Sequence, residues 1–290
     1  MTRSSATASA PTTAAAARAF AAGVVAREVI REAACALAEI GVELAPLKGV
    51  LLAATVDPPG MSRTFSDADA LVAERDFSRA IAHLTSRGWT LAPPIANPSE
   101  RALVPPTLPL ALDLHQRLFA PARYSLPTEA IFSRAHGDEV LFAARVMIPD
   151  PYDVYAHLVG HAVNDHADAR VTAVTRDLLL LSDTHRLDPR RCAAHLARHG
   201  LARAALYLLP QVHEATGDSF AAAVLELLPA DPVGVILSRA AREIIARAPT
   251  RAPIGAIPAH LLNRTLAASA SAAVLAAVHR TGARLRRGGP

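Results

Sequence analysis

The sequence predicts an α+β protein, with an α/β front half and an all-helical back half that meet near residue 150. Three observations predict it. Short apolar or alternating runs, punctuated by Gly, Pro and Asp, recur between residues 42 and 148 and read as strands set among helices. From Asp150 onward the texture becomes helical, broken at Asp188-Pro189, Gly200, Gly217, Asp231-Pro232 and the Pro253/Pro258 region. The chain has 290 residues, 51% hydrophobic and 19% charged, which is enough for a large buried core and unlike a disordered chain.

Residues 1–13, rich in Ser, Thr and Ala, read as a disordered leader. An Ala-rich segment over 14–40 carries Val24, Val25, Val29, Ile30 and Leu37 at helical spacing and predicts one long helix ended by Gly41. Val42 to Leu47 reads as a short strand that stops at Lys48-Gly49. Val50 to Val56 reads as a short helix, broken by Asp57-Pro-Pro-Gly60. Ser66 to Ala73 alternates acidic and apolar residues, as a half-buried strand does. A helix over 74–87 closes at Gly88. Strands follow at 89–91, 101–104 and 108–115, then a helix at 128–135 and strand character over 140–148. Helices are expected at 151–166, 170–187, 189–199, 201–216, 219–228, 232–248 and 259–282. The domain reading is therefore an α/β unit over 14–150 and a helical unit over 151–290 with a basic tail.

Composition narrows the function classes. Lys and Arg exceed Asp and Glu by 30 to 26, a net of +4, and part of the excess sits at Arg280, Arg284, Arg286 and Arg287. That tail reads as solvated. Aromatic residues are only 4%, so the stacking residues of a single-strand binder are missing, and no sequence-specific DNA binding is expected. The two cysteines, Cys35 and Cys192, fall in unrelated segments and fit a reducing, cytoplasmic setting. No run approaches a membrane span, and the N-terminus lacks the apolar core of a signal peptide.

The chemistry concentrates in Leu47-Lys-Gly-Val50 and Ser66-Asp-Ala-Asp-Ala-Leu-Val72. On a strand, residues two apart share a face, so Asp67 and Asp69 stand side by side. Two such carboxylates repel and raise each other's pKa, a penalty that a divalent cation removes. Asp113, in the apolar run Leu112-Asp-Leu-His115, supplies a third carboxylate on another strand. Three carboxylates can hold two metal ions in the clamp used for in-line phosphoryl displacement. Gly49, between a strand and a helix start, lets phosphate oxygens approach the backbone. Lys48 and Arg63 add positive charge along a triphosphate. The assigned set is Asp67, Asp69 and Asp113 as catalytic metal ligands, with Lys48, Gly49, Arg63 and His161 on the nucleotide.

This order of elements resembles the DNA polymerase β-like nucleotidyltransferase superfamily, and more closely the bacterial uncharacterised nucleotidyltransferases. The resemblance runs over roughly residues 40–228. It is carried by the Lys48-Gly49 turn, the block Arg63-Thr-Phe-Ser-Asp67-Ala-Asp69-Ala-Leu71-Val72, the strand Leu112 to His115, and helices bearing His157, His161 and Asp177-Leu-Leu-Leu-Leu181. Val50 stands where the wider superfamily has Ser or Gly. The resemblance implies a small mixed sheet flanked by helices, Mg²⁺ or Mn²⁺, and transfer of an NMP, with AMP from ATP expected, to an acceptor. The acceptor is a small molecule, peptide, protein or tRNA.

His157, His161 and Asp165 recur at i, i+4 and i+8, on one face of the helix from residue 151. That face either caps the contact between the halves or forms a wall of the substrate cleft. Zinc is not expected, because position 158 is Leu where a zincin has Glu. His115 either orients Asp113 or simply ends its strand. Asp177 is expected to pair with Arg176 or Arg170. Two competing readings remain at this point. A non-catalytic scaffold of the same fold predicts loss of a metal carboxylate, and a helical adaptor predicts partner binding indifferent to Asp67→Asn.

Overall fold

The computed structural model describes residues 13–58, 63–93, 99–120, 123–165 and 171–247. The expected leader, apart from Thr13, the helix at 259–282 and the basic tail lie outside them. Helix α1 (Thr13–Ala38) is the predicted long helix, and the chain turns after it through Gly41 at φ 66°, a backbone state that glycine adopts without penalty. Strand β1 (Ala45–Pro46) and helix α2 (Lys48–Thr55) follow. The strand expected over 42–47 pairs for two residues only. Pro46 has no N–H to donate, and Leu47 adds one bond, its N–H donating to the Asp69 carbonyl at 2.9 Å.

Strand β2 (Asp67–Leu71), a short 3₁₀ turn and α3 (Phe77–Ser86) come next, then β3 (Thr90–Leu91), β4 (Glu100–Val104) and β5 (Ala111–His115). The five strands form one mixed sheet in the order β1-β2-β5-β4-β3. Only the central β2–β5 pair is parallel, and its register sets Asp69 opposite Asp113. Alternation then sorts the residues. Ala68, Ala70, Leu112 and Leu114 fall on one face and are fully buried, while Asp67, Asp69, Asp113 and His115 fall on the other. Helix α1 packs against β2 and β5, and α2 packs against β2.

After α4 (Thr128–Arg134), strands β6 (His136–Asp138) and β7 (Val146–Ile148) form a separate antiparallel pair. The strand expected over 140–148 is confined to its last three residues. Asp138 accepts the backbone N–H groups of Val140 and Leu141 at 2.9 and 2.7 Å, which turns the chain there and returns it as a hairpin.

Six helices complete the described chain: α5 (Pro151–Asp165), α6 (Val171–Thr184), α7 (Pro189–Arg198), α8 (Ala202–Thr216), α9 (Ser219–Leu227) and α10 (Pro232–Arg247). The helix boundaries fall at the expected breaks, with capping by Asp188 and, not foreseen from the sequence, by Asp218. Asp188 and Asp218 accept backbone N–H groups at the starts of α7 and α9, and Gly217 ends α8 at φ 72°. One cluster of buried side chains joins α1, the sheet and the helices after residue 150. None of the described helices is long and apolar enough to cross a membrane.

Helix α5 approaches the chain after β5 closely at Gly160. A Cβ there would lie 2.5 Å from Cζ of Phe119 and 2.9 Å from Cδ2 of Leu201. Gly160→Ala gains about 1 kcal/mol of helix propensity against about 1–3 kcal/mol of overpacking. The expected outcome is a net loss of stability, seen as a lower denaturation midpoint in urea.

Candidate functional site

Two adjacent parallel strands in register build the site. Asp67 and Asp69 come from β2 and Asp113 from β5, all on the sheet face opposite the Ala/Leu core. The three expected carboxylates thus share one face of two adjacent strands. Their electrostatics are unequal. Burial raises Asp67, and the charge of Asp69 raises it further. Burial, followed by the charges of Asp67 and Asp69, pushes Asp113 up to about 6. Asp69 differs. Burial works to raise it, but the His115 hydrogen bond and the charges of Lys48 and His115 outweigh burial and hold it well below the usual carboxylate range.

The neighbours of Asp69 explain the difference. Lys48 Nζ donates to Asp69 Oδ1 at 2.6 Å, and His115 Nε2 lies 3.0 Å from the same oxygen. His115 Nδ1 lies 3.5 Å from Glu100 Oε2, on the neighbouring strand β4. His115 therefore serves Asp69 and not Asp113, as the sequence reading had allowed. Side chains on one sheet face meet their diagonal neighbours across a pair as well as those directly opposite. Glu100 went unnoticed in the sequence. Its place opposite His115 depends on the β4–β5 register, which no local pattern announces.

Lys48 opens α2 with φ 46°, in the left-handed region that a lysine rarely occupies. No side chain caps that helix start. Gly49 follows. A Cβ on it would sit 3.4 Å from Cε1 of Phe65, an ordinary van der Waals contact, so the ring packs against this turn without requiring a glycine.

Arg63 sits apart from this cluster. Its side chain is 9% exposed and forms a two-bond fork with Asp57, at 2.5 and 2.7 Å, while Nη1 reaches Asp177 of α6 at 2.8 Å. Burial works to lower its pKa, and the two carboxylates outweigh that and raise it. The guanidinium thus ties the segment entering β2 to the helical half. Asp177 also lies 3.7 Å from Arg176, one of its two expected partners. The other, Arg170, lies outside the described residues.

Helix α5 brings its histidines to the site. His157 is buried and lines a small cavity with Leu47, Lys48 and Asp153. Burial, then the charges of His161 and Lys48, hold its pKa well below the ordinary histidine value, so it is neutral. His161 lies one turn further on, with its ring centre 5.9 Å from that of His157. The side chain of Asp165 is outside the described set. A larger cleft of about 510 Å³ opens elsewhere, beside Val42, Leu44, Arg75, Phe132 and Met147, and none of the expected site residues lines it.

Metal-ligating side chains also converge at Asp153, His195 and His199, within 4.8 Å of one another. There the charge is already satisfied. Arg134 forks onto both oxygens of Asp153 at 2.7 and 2.8 Å, and His195 Nε2 lies 2.9 Å from one of them. A divalent ion would face the guanidinium at close range, so this group reads as a lock between α4, α5 and α7. Among the described residues, that is the group whose ligand atoms all lie within 4.8 Å of one another, while Asp67, Asp69 and Asp113 share a sheet face. These three carboxylates are oxygen ligands and two of them have raised pKa values, and Lys48 and His115 already occupy Asp69.

A family model described as an uncharacterised nucleotidyltransferase matches residues 9–217. No curated protein matches the chain.

Proposed function

Because the chain belongs to the uncharacterised nucleotidyltransferase family, we propose that it is a metal-dependent enzyme that moves an NMP, AMP in the first instance, from an NTP to an acceptor hydroxyl with release of pyrophosphate. The observation that carries this reading is the in-register pairing of Asp67 and Asp69 with Asp113 on one sheet face, beside the start of α2. Asp67, Asp69 and Asp113 would hold Mg²⁺ or Mn²⁺. When bound, such ions lower the pKa of an attacking hydroxyl and neutralise charge on the leaving group. The remaining work belongs to the chain. His115 fixes Asp69 from behind, with Glu100 on its far nitrogen. The uncapped start of α2 offers backbone N–H groups to phosphate oxygens, and Lys48 supplies a cation there. His161, on α5 one turn beyond the buried His157, would contact phosphate or the acceptor, a small molecule, peptide, protein or tRNA. In this reading residues 14–150 carry the chemistry and the helices after 150 shape the acceptor side. Setting the enzyme in the cytoplasm agrees with its two free cysteines.

The test is incubation with each α-labelled NTP, Mg²⁺ or Mn²⁺ and candidate acceptors, following label transfer and pyrophosphate release. Transfer is expected with wild type and not with Asp67→Asn/Asp69→Asn. Equal transfer by both proteins would reject the assigned site.

A second expectation concerns stability. In chelator, Asp113 suffers the charges of Asp67 and Asp69. Its pKa in the folded chain, about 6, lies above its unfolded value of about 3.9. The native state then holds more protons than the unfolded state between those values, so this group's contribution falls as pH rises through that window. Asp113→Asn removes the effect. In chelator the variant should melt above wild type, by a margin that widens with pH up to about 6 and then stays level. With Mn²⁺ the order should reverse. A variant that melts below wild type in chelator at neutral pH would contradict the charge-repulsion account.

A further inference from the structure

Lys48 is placed where a metal ion would have to compete with it. Its ammonium sits 2.6 Å from Asp69 Oδ1, and His115 Nε2 lies 3.0 Å from the same oxygen. Two donors already occupy that atom. His115 is held by Glu100 on its other nitrogen and its side chain is only 8% exposed, whereas Lys48 is 22% exposed on a flexible stem. Lys48 is the donor that can leave. Its backbone carries a second sign of a special role. A non-glycine residue at φ 46° is strained and persists where the surroundings demand it. Here that conformation starts α2, whose first residue thereby reaches β2.

We propose that Lys48 is a resident counter-ion. It keeps the carboxylate cluster closed to free divalent cations and gives way only when the cation arrives on a triphosphate. The physics is a change of sign. To a bare cation, the ammonium on Asp69 is a like charge a few ångströms away, and it opposes binding. A cation carried by a nucleotide brings phosphate oxygens with it. Lys48 then exchanges its carboxylate partner for a phosphate oxygen and remains paired throughout. The inference rests on the metal-dependent reading above, and the experiment separates the two.

Lys48→Asn removes the charge and tolerates the left-handed backbone, and Lys48→Gly does the same without a side chain. Mn²⁺ binding is measured by calorimetry on the nucleotide-free full chain, with folding checked by circular dichroism. It is then repeated in the presence of a non-hydrolysable ATP analogue. Both variants should bind Mn²⁺ alone about tenfold or more tightly than wild type, the scale of a single like charge removed from a partly buried site. Both should bind the Mn²⁺–analogue complex more weakly than wild type. A lysine whose only role is to contact the nucleotide would leave binding of Mn²⁺ alone unchanged and weaken only the Mn²⁺–analogue complex. Unchanged or weaker Mn²⁺ binding by the variants, with binding still abolished in Asp67→Asn/Asp69→Asn, would overturn the counter-ion role and leave the metal site standing. Failure of every protein to bind Mn²⁺, with or without the analogue, would overturn both.

Discussion

Asp67→Asn/Asp69→Asn is expected to reduce nucleotidyl transfer by about 10³-fold or more while leaving the chain folded. Ions at such sites supply several kcal/mol of transition-state stabilisation, and each 1.36 kcal/mol is about a factor of ten in rate. Asn matches Asp in shape, so the strand and the contact to His115 can be kept. Lys48 loses its carboxylate partner, but its side chain is 22% exposed and can turn to water. The double variant should therefore show near-native circular dichroism, no Mn²⁺-induced rise in melting temperature and transfer at background level. Transfer within tenfold of wild type would place the reacting centre elsewhere.

The second large effect is on folding. Arg63→Ala is expected to cost about 3–5 kcal/mol, the range for breaking a buried ion pair and stranding its partner. Two carboxylates lose their close partner, Asp57 at 4% and Asp177 at 14% side-chain exposure, and keep only the longer contacts to Arg176 at 3.9 and 3.7 Å. Chemical denaturation measures the loss directly. Adding Asp57→Asn and Asp177→Asn to Arg63→Ala should recover part of it, because no charge is then left unpaired. An arginine that acted only on a triphosphate would show the opposite pattern, with a raised KM and an unmoved denaturation midpoint.

These two results bear on what the chain discloses before it folds. Asp67 and Asp69 were legible as a pair because a strand's period of two is a local property. Asp113 was legible as an acid in an apolar run, but that β5 lies parallel to β2, with 113 opposite 69, is a matter of tertiary pairing. Arg63 looked like a phosphate ligand because its second carboxylate, Asp177, arrives from α6, far along the chain. His115 does end its strand, but its partner is Asp69 rather than Asp113, because that carboxylate lies diagonally across the sheet. The described helices after 150 were read to within one residue at most ends, the exception being α6, which stops at Thr184 rather than 187, because caps and breakers are local chemistry. Strand lengths were overread in five places, most at 42–47, 108–115 and 140–148. Apolar runs were plain in those three, but a strand extends only as far as a partner accompanies it, and β1 and β7 have partners for two and three residues.

The parallel β2–β5 pair has a kinetic consequence. Asp69 and His115 are 46 residues apart, and the chain between them holds α3, β3 and β4, so pairing β5 with β2 closes a long loop. Before that closure Asp113 is not beside Asp67 and Asp69. An ion bound at the proposed site should therefore prolong the lifetime of the native state more than it hastens its arrival.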